Sequence, residues 1–281
     1  MTLVAVTTRS KLRDVRFFPM MLIATVRARR QLGRARGIVR WASVIGSPTE
    51  FWTLTVWTGV HELQEFMRSG VHGDVMWRMP RWLSSFWLAR WRPGPHELGT
   101  WDGLALAAAG ERKPQADGPE EGTEFVRRAL AEGALTYERS PLVERSRAAV
   151  ERFSGVAIRV TGSPLQLGET FHIVRGLRRA VAADPRTVRA FVGAARFHDV
   201  YLFVLLDGSD AASRLLDSEW MQRAHDRWPG RVWAIEWLPE NEFGHWDGMR
   251  MRAFAPRPRR FRRPRAGTET PATEGARRGV A

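Results

Sequence analysis

The hydrophobic positions of residues 1–106 change their period along the chain, and these changes predict six elements. Alternating or β-branched runs indicate strands at 3–8 ("LVAVTT"), 37–46 ("GIVRWASVIG"), 51–57 ("FWTLTVW") and 86–93 ("FWLARWRP"). Apolar residues at helical spacing indicate helices at 14–32 and at about 60–84. The segment "SPTE" between the second and third strands is typical of a hairpin turn. The predicted order is therefore β-α-β-β-α-β.

The same order of elements recurs later in the chain. Strands are predicted near 156–161, 187–197, 200–206 and 231–238, and helices near 166–183 and 209–226. An offset of 149 aligns 29–80 with 178–229 without a gap and with eight identical pairs. Each copy then ends in Gly-x-Trp-Asp-Gly, at 99–103 and at 244–248. We interpret the chain as two diverged copies of one unit. Because Asp-Gly favours a turn, we expect Trp101 and Trp246 to have a structural role at the end of each copy.

The predicted fold class is α+β, with two tandem ferredoxin-like βαββαβ units. One such unit would leave an aromatic sheet face uncovered, and two units packed sheet to sheet would bury it. This indicates an intrachain pseudo-dimeric α/β barrel. The predicted divisions are a first unit at 1–106, a polar and then helical connector at 107–153, a second unit at 154–251, and an Arg-rich disordered tail at 252–281.

The charge of the chain indicates a candidate binding segment, and the absence of cysteine excludes some kinds of site. The net charge of +14 comes from 42 arginine and 2 lysine residues, and 252–265 holds seven arginines without an acid. The tail is either a solubilising extension or a weak contact for anionic membrane or nucleic acid. The absence of cysteine excludes disulfides and thiolate ligands. Without a run of ~20 apolar residues or a secretory signal, we expect a cytoplasmic protein, and the tail leaves open a peripheral membrane contact.

The strand "FWTLTVW", the helix "ELQEFMRSGVHGDVM" and the terminal Gly-x-Trp-x-Gly resemble the antibiotic-biosynthesis-monooxygenase superfamily of dimeric α/β barrels. The tandem layout, with this motif closing each half, is similar to the spheroidene monooxygenase family. The resemblance implies an oxygenase acting on an apolar substrate such as a polyene or polyketide. It also implies either a haem cofactor or, as in other members, no cofactor.

Two histidines match positions that the resemblance makes important. His72 lies on the second predicted helix of the first unit, where haem-binding relatives place the axial ligand, so it is the candidate ligand of the haem iron. His225 follows Ser218 with the spacing of haem-degrading relatives and is the alternative ligand. A ligating histidine needs an acceptor on its other nitrogen, and Asp74 and Asp226 are close in sequence. For each histidine the alternative is an ordinary packed or surface residue.

Arginines and aromatic residues complete the candidate site. Arg40 and Arg189 recur on the second strand of each unit and could pair with haem propionates or an acidic substrate, although a solvent-facing strand arginine is the simpler interpretation. The candidate walls of an apolar cavity are Trp41, Trp52, Trp57, Phe66, Trp82 and Phe86. The same residues could instead form a sheet core.

The sequence thus predicts a monooxygenase-like oxidoreductase that depends on haem. The alternatives are a cofactor-free oxygenase of a phenol or quinol, and a non-catalytic barrel that binds a small apolar ligand. Phosphate-binding loops, dinucleotide motifs and metalloprotease motifs are absent from the sequence.

Overall fold

The computed structural model describes residues 3–110, 149–162, 164–196 and 199–254. Most of the predicted connector, and the predicted disordered tail from residue 255 on, lie outside these ranges. We call residues 3–110 the first half and residues 149–254 the second half.

The first half contains four strands and four helices. They are β1 (Val4–Leu12), α1 (Phe18–Leu32), β2 (Ile38–Ser47), β3 (Glu50–Trp57), α2 (Val60–Arg68), α3 (Gly70–Arg78), β4 (Leu83–Leu98) and α4 (Leu106–Gly110). The second half repeats this order up to its last strand. Its elements are β5 (Phe153–Thr161), α5 (Leu167–Ala183), β6 (Thr187–Arg196), β7 (Asp199–Asp207), α6 (Ala211–Leu216), α7 (Glu219–Arg227) and β8 (Val232–Gly244).

The prediction of one helix at 60–84 was wrong, because the chain turns between α2 and α3. Gly70 adopts a φ of +53°, in the left-handed region that glycine tolerates best. The helix predicted at 209–226 is likewise two helices, α6 and α7. In each half, the predicted single helix is thus divided into two shorter ones.

The last strand of each half is longer than predicted. β4 and β8 pair with each other over much of their length, from Trp87 opposite Gly244 to Leu98 opposite Ala234, with register shifts on the way. The predicted last strand of the first half ran from 86 to 93, whereas β4 begins at Leu83 and continues to Leu98. Pairing across the two halves supplies hydrogen bonds that a single unit could not.

The eight strands form a closed antiparallel barrel. Their order around it is β1-β3-β2-β6-β7-β5-β8-β4, so each half contributes four adjacent strands. The second junction between the halves is narrow, with Ile45 of β2 opposite Ala194 of β6. A Cβ atom at Gly193 would lie 2.6 Å from the carbonyl oxygen of Ile45. Glycine therefore permits the two halves to approach closely at this junction.

Aromatic side chains fill the inside of the barrel. Phe203 of β7 lies at its centre, with ring centroids 5.1 Å from Trp52 and 5.5 Å from Trp91. Trp87 and Trp237 are fully buried in the same cluster. The interior is thus a packed core to which both halves contribute, and the helices cover the outer face of the sheet.

The two Trp-Asp-Gly segments form equivalent turns. Asp102 and Gly103 have φ values of +49° and +81°, and Asp247 and Gly248 have +48° and +84°. Two successive positive φ values are typical of a type I′ turn. Trp101, beside the first turn, packs its ring 4.8 Å from Trp233 inside the barrel.

Candidate functional site

A cavity of about 180 Å³ lies between the helices and the sheet of the first half. Its walls come from α1, α2, α3 and the outward faces of β1, β2, β3 and β4. Most of the wall is apolar, with methionine and phenylalanine side chains such as Met21, Met67, Met76 and Phe86. Methionine side chains adapt to irregular space, so this wall can adjust to the shape of a ligand.

The sheet floor of the cavity carries hydroxyl groups that the second half lacks. Five hydroxyl residues line it, and the strand registers pair each with an aliphatic residue of the second half: Thr8 with Ile158, Ser10 with Val160, Ser43 with Val192, Thr53 with Leu202 and Thr55 with Val204. All five aliphatic counterparts pack in the core between the sheet and helices of the second half. The same fold positions therefore form a polar floor in one half and a dry core in the other.

Small residues on α1 create the space above this floor. Ala24 and Ala28 line the cavity, and the offset of 149 pairs them with Ile173 and Leu177 of α5. Both residues of α5 are 2% exposed in the core of the second half. Because two large side chains are replaced by methyl groups, α1 leaves a volume that α5 fills.

His72 of α3 lines the cavity and packs on Phe66, with ring centroids 4.6 Å apart. Its Nδ1 lies 3.3 Å from the carbonyl oxygen of Met67. A carbonyl can only accept, so Nδ1 carries the proton and Nε2 of the neutral ring keeps a lone pair. Burial lowers the pKa of His72 below the ordinary histidine value of 6.5, and the Met67 contact only partly opposes this. His72 is thus a neutral potential base at pH 7, and the fully buried Met221 takes its place in the second half.

Four of the six predicted aromatic residues border the cavity. Trp57, Phe66 and Phe86 lie in its wall. Trp52 also borders it, but its ring points into the barrel and stacks 5.9 Å from Phe191. Trp57 donates from Nε1 to Thr55 Oγ1 at 2.9 Å, which fixes one of the floor hydroxyls.

Trp41 and Trp82 are not part of the cavity wall. Trp41 lies on the outer face of β2 beneath the guanidinium of Arg29, 5.0 Å from its ring centre. Trp82 is buried at the start of β4 and packs in the same apolar cluster as Met79, which does line the cavity. Both stabilise the shell around the cavity.

Arg40 and Arg189 do not reach the cavity either. Arg40 donates to the carbonyl oxygens of Trp101 at 3.0 Å and Asp102 at 3.1 Å, so it anchors the first Trp-Asp-Gly turn. Arg189 donates to its neighbour Val188 at 2.8 Å. Carbonyl groups of the chain are the partners of these two strand arginines.

His225 also lies away from the cavity. It is on α7 in the second half, with Nδ1 3.2 Å from the carbonyl oxygen of Val232. A Cβ atom at Gly99 would lie 3.2 Å from the His225 ring, so the ring packs closely on the first half. This arrangement is that of a packed histidine.

The residues around His72 fit a haem only in part. The Met67 carbonyl at Nδ1 is the kind of outer partner that an iron-bound histidine needs, and it takes the place expected for Asp74. The volume does not fit, because pockets for drug-sized ligands measure ~300–1,000 Å³ and this cavity measures about 180 Å³. A porphyrin would need α1 and α3 to move away from the sheet.

The sequence predictions missed the hydroxyl floor and the small residues of α1. The signal was present, because the offset of 149 that aligns the two copies also pairs Ala28 with Leu177 and Thr53 with Leu202. Aligned residues that are identical in the two copies identified the repeat. Aligned residues that differ in size or polarity identify where the cavity lies.

Two further features of the described ranges bear on chemistry. Within these ranges, no group of three or more histidine and acidic residues is placed to hold a metal ion. Nor does any helix described there combine the length and apolar character needed to cross a membrane.

The sequence matches no family model and no curated protein. The barrel is similar to solved structures at low identity. A candidate monooxygenase from Fusobacterium nucleatum is 9% identical, with a TM-score of 0.33, and the match covers 86% of this chain and 94% of that one. The cofactor-independent oxygenase SnoaB from Streptomyces nogalater is 12% identical, with a TM-score of 0.27, over 32% of this chain and 91% of that one.

A candidate antibiotic biosynthesis monooxygenase from Nitrosomonas europaea is 13% identical, with a TM-score of 0.27, over 31% of this chain and 83% of that one. The resemblance to the antibiotic-biosynthesis-monooxygenase superfamily, and the more specific likeness to the spheroidene monooxygenase family, stay predictions from the sequence.

Proposed function

We propose that this protein is a monooxygenase-like oxidoreductase whose first half binds a small phenol, quinol or enol and oxidises it with O₂, without haem. The observation that carries the proposal is the cavity itself, built from small and hydroxyl-bearing residues at positions that the second half fills with aliphatic ones. We also infer that each half derives from one ferredoxin-like unit, since the strand order within the first half is β4-β1-β3-β2.

The size of the cavity supports a ligand of one or two rings. An apolar cavity of about 150 Å³ is enough to bind benzene, and this one measures about 180 Å³. A long polyene or a fused polyketide would exceed it. The methionine and phenylalanine wall suits a planar ring, and the threonine and serine floor suits a ring that carries oxygen substituents.

His72 supports the chemistry as the base. Neutral imidazole with a free Nε2 lone pair can take the proton of a bound phenol or enol. The resulting anion is electron-rich enough to pass an electron to O₂, after which a carbon–oxygen bond forms. The O–O bond then breaks, and the second oxygen atom leaves as water with two substrate hydrogens. Overall, a phenol and O₂ give a quinone and water, so no external reductant is needed.

Oxygen uptake tests this proposal directly. Purified full-length protein without added metal or haem would be incubated with one-ring and two-ring phenols and quinols in an oxygen electrode. Products would be analysed by mass spectrometry after reaction with isotopically labelled O₂. We expect a product that has gained one labelled oxygen and lost two hydrogens. Loss of a general base costs typically 10²–10⁴-fold in rate, so His72→Ala should lower kcat/KM by that range.

His225→Ala is the matched control, because it removes a half-buried histidine from the equivalent layer of the second half. It should leave oxygen uptake unchanged. If the protein binds the phenols but consumes no O₂, the function is ligand binding without catalysis.

Haem remains the second candidate, favoured by the Met67 contact to His72. A Soret band after reconstitution that disappears in His72→Ala, together with no uptake by the haem-free protein, would establish haem in place of the cofactor-free reaction.

A further inference from the structure

One stripe of α1 exposes apolar side chains to solvent. Met20, Ile23 and Val26 are 46%, 54% and 42% exposed, and their spacing of three places them along one side of the helix. Exposed apolar residues are ordinary when they are scattered, but a contiguous stripe indicates an interaction surface.

The second half shows that the fold does not need these residues to be apolar. The offset of 149 pairs Met20 with Glu169, Ile23 with His172 and Val26 with Arg175 on α5, and these three are exposed as well. The same outward positions are thus polar in one copy and apolar in the other. The difference between the copies lies on the helix that covers the cavity.

Positive charge borders the apolar stripe. Arg27, Arg30 and Arg34 are exposed on the following turns, and within the described ranges none of their guanidinium groups has an ion pair or a hydrogen bond. Residues 15–36 contain no acidic residue. Glu62 and Glu65 of α2 border the same groove but compensate only part of this charge. This surface is complementary to an anionic bilayer. The apolar side chains suit the hydrocarbon, and the neighbouring arginines suit the anionic headgroups above it.

The geometry points to α1 as a docking surface for an anionic membrane, with Met20, Ile23 and Val26 inserted among the acyl chains and the arginines at the phosphates. Leu22 and Val26 are about 40% exposed and also line the cavity, so the rim of the cavity opens on this surface. An apolar substrate dissolved in the bilayer would reach the cavity along this path. The docking itself does not rest on the proposed reaction.

Vesicle flotation of the full-length chain tests the inference. The vesicles would be phosphatidylcholine alone or phosphatidylcholine with phosphatidylglycerol. The key variant, Met20→Glu with Ile23→His and Val26→Arg, gives α1 the residues of α5 and leaves the charge nearly unchanged. We expect it to weaken binding to anionic vesicles at least tenfold, since apolar insertion is lost. Arg27→Gln with Arg30→Gln and Arg34→Gln should weaken binding to anionic vesicles and reduce its salt dependence.

The matched control is Phe171→Glu on α5, which removes another apolar side chain that is 66% exposed. It should bind as the wild type does. Equal binding by the α1 variant and the wild type would overturn the inference, and so would an equal loss in Phe171→Glu. A change of oligomeric state in the α1 variant, without a change in vesicle binding, would assign the stripe to self-association instead. Circular dichroism of each variant separates these outcomes from misfolding.

Discussion

Arg9 of the first half donates a 2.7 Å hydrogen bond to Asp247, in the turn that ends the second half. The relationship is reciprocal, because Arg159 occupies the same place in β5 and donates at 2.7 Å to Asp102 in the turn that ends the first half. The two Trp-Asp-Gly turns are thus each held by the first strand of the opposite half.

A second carboxylate completes each ion pair within its own half. Arg9 donates to Glu50 at 2.6 Å, and Arg159 donates to Asp199 at 3.1 Å. Arg9 is only 2% exposed, so these carboxylates must compensate its buried positive charge. The aspartates of the two turns are therefore structural.

Asp247→Asn should lower the free energy of unfolding by about 1–2 kcal/mol. A hydrogen bond to a charged group is worth about 1.5–3 kcal/mol, but Asp247 is 41% exposed, so solvent screens part of it, and Arg9 keeps Glu50. Asparagine tolerates the left-handed conformation of this position, so the change removes the charge and keeps the turn. Urea unfolding measures the effect. Asp102→Asn should cost a similar amount, and an unchanged midpoint for both variants would contradict the structural role.

Trp246→Ala should destabilise the barrel by about 3–5 kcal/mol, the usual cost of removing a buried large aromatic residue. The Trp246 ring lies 5.2 Å from Trp87 and stacks over Phe203 inside the core. Trp101→Ala should behave alike, since its ring has the corresponding place in the other half. Thermal unfolding is the measurement. Wild-type stability combined with lost oxygen uptake would instead indicate a catalytic role for the motif.

Ala24→Ile with Ala28→Leu should fill the cavity with the residues that the second half already uses. Cavity filling commonly stabilises a protein by about 0.5–2 kcal/mol, so the variant should be at least as stable as the wild type and should no longer bind phenols. The reverse change, Ile173→Ala with Leu177→Ala, should cost about 2–5 kcal/mol per residue. Ligand binding by fluorescence and unfolding in urea check both variants. Retained binding in the filled variant would show that the ligand occupies another site.

The stability of the protein should depend on pH through His72. Burial lowers its pKa in the folded state below the unfolded value of 6.5, so between these two values the unfolded chain binds more protons. The free energy of unfolding should therefore rise with pH over the window just below 6.5, and stability should be lost as the pH falls through it. Unfolding of the wild type and of His72→Gln at several pH values tests this. Parallel pH profiles would show that the ring is not desolvated.

The strands could be predicted because each has a run of β-branched and aromatic residues. The order of elements could be predicted because both copies of the repeat indicate the same one. The break at Gly70 could not be predicted, since "FMRSGVHGDVM" has apolar residues at helical spacing on both sides of it. The length of β4 was missed because its pairing partner, β8, lies in the other half.

The site was harder to predict than the fold. The approach through histidines ranked His72 before His225, and His72 does line the cavity. Sequence alone could not show that His225 lies away from it, because that difference depends on the packing of α7 against β8. Arg40 looked like a ligand partner because sequence cannot show that the carbonyls of Trp101 and Asp102 lie beside it.

Joining the two halves in one chain removes a constraint that symmetry imposes on a homodimer, where every substitution appears twice. Here Ala24 can stay small while its counterpart Ile173 stays large. The cavity lowers the stability of the first half. The filled core of the second half and the aromatic interior that both halves share can compensate for this loss. A covalent pair of this kind can change its ligand by substitutions in one half while the other half stays the same.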